Sequence, residues 1–478
     1  MLFTSIEFLI FFPLLFFGYY FLSKKNVRVQ NIFLLFASYV FYAWADWRFL
    51  FLLIASTLVF YYLGLAIFRT KNKKSLYTTI GVVFGVGMLG YFKYTNFFIL
   101  SFKDLFESMG LQTNLHTFKI IMPLGISFYT FRLLSYLIDI NREKYEPTRD
   151  IITFSNYVAF FPCILSGPID RADVFIPQIQ KQRIFNHPLA VDGLRQILWG
   201  AFKKMAIADY LSVYFNEVHG SFETHSGSTL LLSAVFYSFI MYADFSGYSD
   251  MAIGVAKLLG IKVARNFNYP FFAQNIADFW RRWHISLTSW LTDYVFMPLN
   301  VKWRDWGKWG TILAIVIDFI LCGLWHGANW TFVLWGFFHG LLFIPLILSN
   351  KMLKKEKIQT YSWGFPKMKN FLKMLLTFFL VTIGLILFSA NNIGDAFTYM
   401  ANMFDFSLFT IPYKFPYSRI AFPILLVIID WMGRKNEYPL SNLDEKCKWP
   451  FRWLIYYVLI FTILFLGEGE QQFIYFQF

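Results

Sequence analysis

The sequence predicts an all-α integral membrane protein, with roughly 10–12 membrane helices around a core of shorter or re-entrant helices that enclose a polar tunnel. Three observations carry that prediction: a composition with no aqueous solution, a succession of long apolar stretches, and a middle region where the stretches break up. Of 478 residues, 57% are hydrophobic and 22% aromatic, with 61 phenylalanines, whereas 15% are charged. A soluble domain averages about 25% charged and 45–50% apolar. This chain therefore lacks the polar skin that a water-soluble protein needs, and its mean hydropathy of +0.49 agrees. Length alone would suggest about three soluble domains. One polytopic membrane domain over 1–478 fits better, with N-terminal spans in 1–150, a core in 151–349 and C-terminal spans in 350–478.

Taken in order, apolar stretches suited to spanning lie near 3–22, 30–45, 49–68, 77–98, 119–140, 229–258, 310–325, 328–349, 371–391, 418–433 and 452–467. The first lacks a basic leader and a small-residue cleavage site, so it is expected to be retained as a span. Basic residues follow the odd-numbered early spans: Lys24, Lys25 and Arg28, then Arg69, Lys71, Lys73 and Lys74, then Arg142, Lys144 and Arg149. Cytoplasmic loops carry such an excess, which puts the N-terminus outside and the Lys351–Lys357 cluster inside. The net charge of +14 is thus a topology signal, and no nucleic-acid partner is expected. No internal repeat of the kind common in secondary transporters is visible.

From about 160 to 300 the pattern falls into half-length apolar pieces separated by Gly, Pro and charge. Irregular backbone at membrane depth survives only when buried in protein or lining a watery cavity. Residues 192–215 read as an amphipathic helix carrying Lys203 and Lys204. The stretch 269–299 mixes aromatics with Asp278, Arg281, Arg282, His284 and Asp293. At about 3.6 residues per turn, one helix would set Arg281 and His284 on a shared face with Asp278 nearby.

Candidate chemistry rests on the histidines. His116, His187, His219 and His225 fall in polar loops, where solvation accounts for them. His326 instead lies between two apolar helices, bracketed by Gly323, Trp325, Gly327, Asn329 and Trp330. An ionisable residue at membrane depth is costly and marks a functional candidate. A neutral imidazole, with an ordinary pKa of about 6.5, is a competent general base. His339, on the next helix, is expected to pack structurally, and His284 could act as a second polar group beside the base. Cys163, Cys322 and Cys447 have no metal or disulfide spacing and read as small buried hydrophobes. Asp244 and Asp250 in YADFSGYSDMAIG could suggest a cation site, but Ser, Gly and Asp in a kinked helix are as readily structural, and no metal is expected. No GxSxG, GxxxxGK[ST] or HExxH pattern occurs.

Six ordered segments then resemble the membrane-bound O-acyltransferase family, particularly its bacterial branch of the alginate O-acetylation type. They are MPLGISFYTFRLLSYLIDINR (122–142), SGPIDRADVFIPQI (166–179), GAFKKMAIAD (200–209), YADFSGYSDMAIG (242–254), NFNYPFFAQNIADFWRRWHISLTSWLTDYVFMPL (266–299) and LWHGANWTFVLWGFFHG (324–340). Arg132 departs from the neutral polar residue more usual there, which could alter cavity charge. The resemblance implies that His326 is the catalytic histidine at the end of a tunnel and His284 its polar companion. It also implies acetyl transfer from a cytoplasmic thioester, acetyl-CoA, to a hydroxyl of an extracytoplasmic polysaccharide, directly or through an exported partner transferase. Arg281, Arg282, Asp278, Trp325, Asn329, Lys203 and Lys204 are the associated binding candidates, the two lysines for the phosphates of CoA. Surroundings are expected to be the lipid of a bacterial cytoplasmic membrane. D-alanyl transfer to a cell-wall polymer, glycan transport without chemistry, and a scaffold for the exported enzyme are the competing readings.

Overall fold

The computed structural model describes residues 1–22, 26–362 and 364–467. Lys24 and Lys25 of the first basic loop lie outside the described residues. Those that are described form helices and turns with no strand, apart from one isolated bridge between Thr360 and Pro366. Among them, seven helices are long and apolar enough to cross a membrane: Arg48–Arg69, Lys74–Ser108, Gly227–Leu258, Lys308–His326, Trp330–Leu348, Met368–Ser389 and Trp449–Leu466. Ile6–Phe21 and Val27–Ala43 are apolar but shorter. Two stretches expected to span are helices of 16 and 17 residues, Ile126–Asn141 and Tyr417–Gly433. The first starts late because Pro123 and Gly125 precede it. Gly125 takes φ +72°, and a Cβ there would lie 2.3 Å from the Ile164 carbonyl oxygen.

The chain divides into two compact units, Met1–Leu194 with Ala252–Ala264, and Arg195–Met251 with the residues from Arg265 onward. In the first unit the Ile126–Asn141 helix is buried along almost its whole length, packed on Arg48–Arg69 and Lys74–Leu89. Arg132 sits inside, its Nη1 donating to the Tyr157 carbonyl at 3.1 Å and its Nη2 to that of Pro168 at 2.8 Å. Its guanidinium is therefore a clamp on the SGPIDR turn, where buried carbonyls need donors. Arg183 does similar work, donating to the Tyr19 hydroxyl at 2.8 Å and Asn31 Oδ1 at 2.6 Å.

The second unit begins in the helical run that starts at His187. Residues 202–209 of that run are a π-helical stretch between α-helical segments, and the whole continues to His219. Wider winding and two glycines let this run cross the Gly227–Leu258 helix at very short range. A Cβ on Gly200 would lie 2.5 Å from the Gly247 carbonyl oxygen, and one on Gly247 2.7 Å from that of Gly200. Later in the unit, Lys308–His326 and Trp330–Leu348 form a hairpin joined by residues 327–329. Gly323 and Gly336 hold that hairpin together, since a Cβ on either would lie 2.1 Å from a carbonyl oxygen of the facing helix, Phe332 or Phe319 respectively. Between the two regions, the stretch from 259 to 306 is broken into short helices, as the sequence suggests.

Candidate functional site

His326 is the last residue of its helix, 5% exposed. Three aromatic rings stand edge-on around its imidazole: Trp325 at 4.9 Å, Trp335 at 5.2 Å and Phe388 at 5.2 Å between ring centres. The helix ends here because Gly327 turns extended, at φ −159° and ψ 152°. A Cβ on Gly327 would meet the Phe332 ring at 2.0 Å, so only glycine lets the chain reverse so tightly. Asn329 then opens the next helix, its Oδ1 accepting from the Thr331 N–H at 3.0 Å and its Nδ2 donating to the Asn391 carbonyl at 2.9 Å. This side chain both caps a helix and ties the His326 turn to the segment following Met368–Ser389.

Beside His326 is a cavity of about 10 Å³, also lined by Trp280, Trp335, His339 and Phe388. That is room for about one water molecule. Indole and phenyl rings, which the sequence does not orient, fill the remaining space. His339, expected to be a packing residue, belongs to this cavity. Trp280 Nε1 donates to its Nδ1 at 3.3 Å.

His284 is buried but is not on a helix shared with Arg281, contrary to the spacing argument. The Ile276–Trp280 helix stops, and His284 adopts a left-handed conformation, φ 42° and ψ 52°, before Ile285–Leu291 begins. A non-glycine residue there is strained by about 1 kcal/mol or more. Backbone bonds hold it in place: Asn268 N–H to the Arg282 carbonyl and Ile285 N–H to that of Asn266, both 2.9 Å. The Ser286 hydroxyl adds a bond to Asn266 Oδ1 at 2.6 Å. The imidazole of His284 lies against Phe245 at 4.6 Å and Trp325 at 5.7 Å. Trp325 thus stands between the two histidines expected to act together.

The other candidates are dispersed. Arg282 pairs with Asp278 at 3.1 Å. Arg281 Nη1 donates to the Met352 carbonyl at 3.0 Å, anchoring the basic 351–357 loop. Lys203 and Lys204 are buried and lie in the protein interior, not on an exposed face of an amphipathic helix. Lys203 bonds Asp250 at 2.6 Å and Ser246 at 2.7 Å, and Lys204 bonds Asp209 and Asp244, each at 2.8 Å. Ion pairing explains the burial: two lysines and three aspartates beside the glycine crossing offset one another where an isolated charge would be prohibitive. Asp244 and Asp250 are accordingly occupied by ammonium groups. Among the described residues no cysteine is in a disulfide; Cys163 and Cys322 are buried and Cys447 is half-buried. His219 ends a helix and stacks on Phe215 at 4.9 Å instead of lying in a solvated loop.

Fold and site together define a multi-pass membrane protein built around a buried imidazole. Residues 147–389 match the profile of the MBOAT, membrane-bound O-acyltransferase family. Similar proteins include "Probable alginate O-acetylase AlgI" of Azotobacter vinelandii, 38% identical over 419 residues, covering 86% of this chain and 79% of that protein. The "Peptidoglycan O-acetyltransferase" of Helicobacter pylori is 31% identical over 430 residues, 82% of this chain and 77% of the relative. A "Teichoic acid D-alanyltransferase" of Bacillus subtilis is 32% identical over 291 residues, 57% and 70%. The chain belongs to the membrane-bound O-acyltransferase family and is an O-acyltransferase.

Proposed function

We propose that this enzyme moves an acetyl group from cytoplasmic acetyl-CoA to a hydroxyl of an extracytoplasmic polysaccharide, directly or through an exported transferase, in the inner membrane of a bacterium. The observation that carries the reading is His326, a buried imidazole at the end of a spanning helix, beside a small cavity with room for about one water molecule. His326 takes the proton of the acceptor hydroxyl as its oxygen attacks the thioester carbonyl carbon. Collapse of the tetrahedral intermediate breaks the C–S bond, and the imidazolium returns the proton to the departing thiolate. The aromatic rings around His326 shift aside to admit both substrates and otherwise keep water from the thioester. His284 acts through Trp325 as a positioning residue.

In this reading the N-terminus is extracytoplasmic and the 351–357 loop cytoplasmic. Lys203 and Lys204 being engaged in ion pairs, the exposed Lys351, Lys354, Lys355 and Lys357 are the better attraction for the phosphates of CoA. Relatives named for O-acetylation match more of the chain than the one named for D-alanylation, which favours acetyl over D-alanyl. Mass spectrometry of envelope polymers from cells with and without the protein tests this. Loss of acetyl esters on deletion, and again with inserted His326→Ala protein, supports the assignment. Unchanged esters, or glycan flux that persists in His326→Ala, would point to transport or scaffolding and overturn it.

A further inference from the structure

The helical run Lys74–Ser108 is longer than a membrane is thick. Its 35 residues extend about 52 Å at 1.5 Å each, against about 30 Å of hydrocarbon core and about 40–45 Å with headgroups. The part up to Tyr94 is already about 30 Å long. There the α-helix gives way to a π-helical stretch, Gly90–Tyr94, and resumes as Thr95–Ser108. Thr95 Oγ1 reaches back to the Tyr91 carbonyl at 2.8 Å. A π-stretch and a hydroxyl bonded to the preceding turn are both common seats of a helix bend. Beyond this joint the apolar residues gather on one side. At about 100° per residue, Phe98, Ile99, Phe102, Leu105, Phe106 and Met109 share a face, with Lys103, Asp104, Glu107 and Ser108 opposite and Phe97 and Leu100 off the apolar face. No residue of Thr95–Ser108 is buried, and Phe98, Phe102, Leu105 and Met109 are each more than half exposed.

We propose that residues 95–121 form an in-plane hairpin whose partner is lipid. It lies in the interface of the leaflet away from the basic Arg69–Lys74 turn, with the Phe98–Met109 face among acyl chains and the charged face among headgroups. Water would leave that contiguous apolar face uncovered. The hydrocarbon core is excluded by the return segment: residues 111–123 form neither helix nor strand, and irregular backbone facing lipid is not tolerated at that depth. At the interface an amphipathic helix satisfies both demands. The hairpin is closed by its own bonds. Gly110 takes φ +77°, and the Leu111 N–H bonds the Phe106 carbonyl at 2.9 Å, which stops the helix. Asn96 then draws the return segment alongside, accepting from the Phe118 N–H at 2.9 Å and donating to its carbonyl at 2.8 Å. Phe118 and Ile121 add exposed apolar surface. Lipid is the occupant because this surface continues the lipid-facing side of the span that feeds it, where Val83, Val86 and Tyr91 are exposed as well. Such an anchor holds that span at a fixed depth. The inference is independent of the chemistry assigned to His326.

The test uses the full-length protein carrying Cys447→Ser, reconstituted in vesicles of phosphatidylethanolamine and phosphatidylglycerol. Cys163 and Cys322 are buried and take no label. Phe102→Cys on the apolar face and Asp104→Cys on the polar face each carry a nitroxide. Electron paramagnetic resonance then compares its collisions with oxygen, which concentrates in lipid, and with a water-soluble nickel chelate. At Phe102→Cys, oxygen collisions are expected to exceed those with nickel several-fold, and at Asp104→Cys the ratio inverts. Leu105→Cys, on the apolar face, repeats the Phe102→Cys result and stands in for it if that variant is recovered unfolded. Free access of nickel to both faces would place the helix in water. Exclusion of both reagents from the apolar face would place it under protein, a second copy or another partner. Either result overturns lipid as the occupant.

Discussion

Gly336→Ala changes one hydrogen to a methyl group, ten residues along the chain from His326, and two arguments about it have opposite signs. By helix propensity alone, alanine is better than glycine in a helix interior by about 1 kcal/mol. In this hairpin, however, the new Cβ would lie 2.1 Å from the Phe319 carbonyl oxygen, 2.8 Å from its carbon and 3.0 Å from Ile320 Cα. Those are rigid backbone atoms of the facing helix, and ordinary contact starts near 3.4 Å. The two helices must part by about 1 Å, since neither can yield locally. Overpacking of this kind costs about 1–3 kcal/mol, enough to offset the propensity gain. The larger consequence is geometric, because Trp335 and His339 flank the contact and line the cavity of His326. Misplacement of catalytic groups by about 1 Å can cost about 100-fold in rate. The assay pairs acyl-transfer rate with the thermal unfolding midpoint of purified protein, using Gly87→Ala as control. Gly87 has nothing within 4 Å of its would-be Cβ, so there the substitution is expected to be neutral or stabilising. A Gly336→Ala protein with a raised midpoint and full activity would refute the claim that this hairpin is packed to its backbone limit.

Three other outcomes follow from the same geometry. His326→Ala, with normal membrane insertion, is expected to lose about 10²–10⁴-fold in transfer rate, the usual worth of a general base, read as acetyl esters formed per unit time. Lys203→Met strands Asp250, and breaking a buried pair costs about 3–5 kcal/mol, so the folded protein recovered from membranes should fall sharply. Lys203→Met combined with Asp250→Asn should restore much of that yield, because no uncompensated charge is then left. Asn329→Ala removes a helix cap worth about 1 kcal/mol and the tether to Asn391. Asn329→Asp keeps the cap and loses only the tether, so a lower midpoint in Ala but reduced rate in both is expected.

Particular residues show how far the sequence could be read. His326 was legible because an ionisable group among apolar residues is anomalous at any fold, and the surrounding order of segments made the family recognisable. Arg281 and His284 were misplaced because helical periodicity assumes that the helix continues. It stops at Trp280, and bonds from Asn266 and Asn268, more than a dozen residues back, hold the turn that replaces it. Lys203 and Lys204 read as candidates for the phosphates of CoA because two of their partners, Asp244 and Asp250, lie on another helix. His339 reads as a packing residue in the sequence because nothing local shows that Trp280 reaches its Nδ1.

Composition and the run of apolar stretches are properties of the chain itself, since lipid solvation responds to each segment in turn. They determined a multi-pass helical protein and singled out one histidine. Close crossings, buried hydrogen bonds and the size of a cavity arise only where segments distant in sequence meet. The Gly200–Gly247 crossing, the Trp280–His339 bond and the narrow space beside His326 were therefore decided by packing, through distances of an ångström or so that no residue's neighbours along the chain can encode.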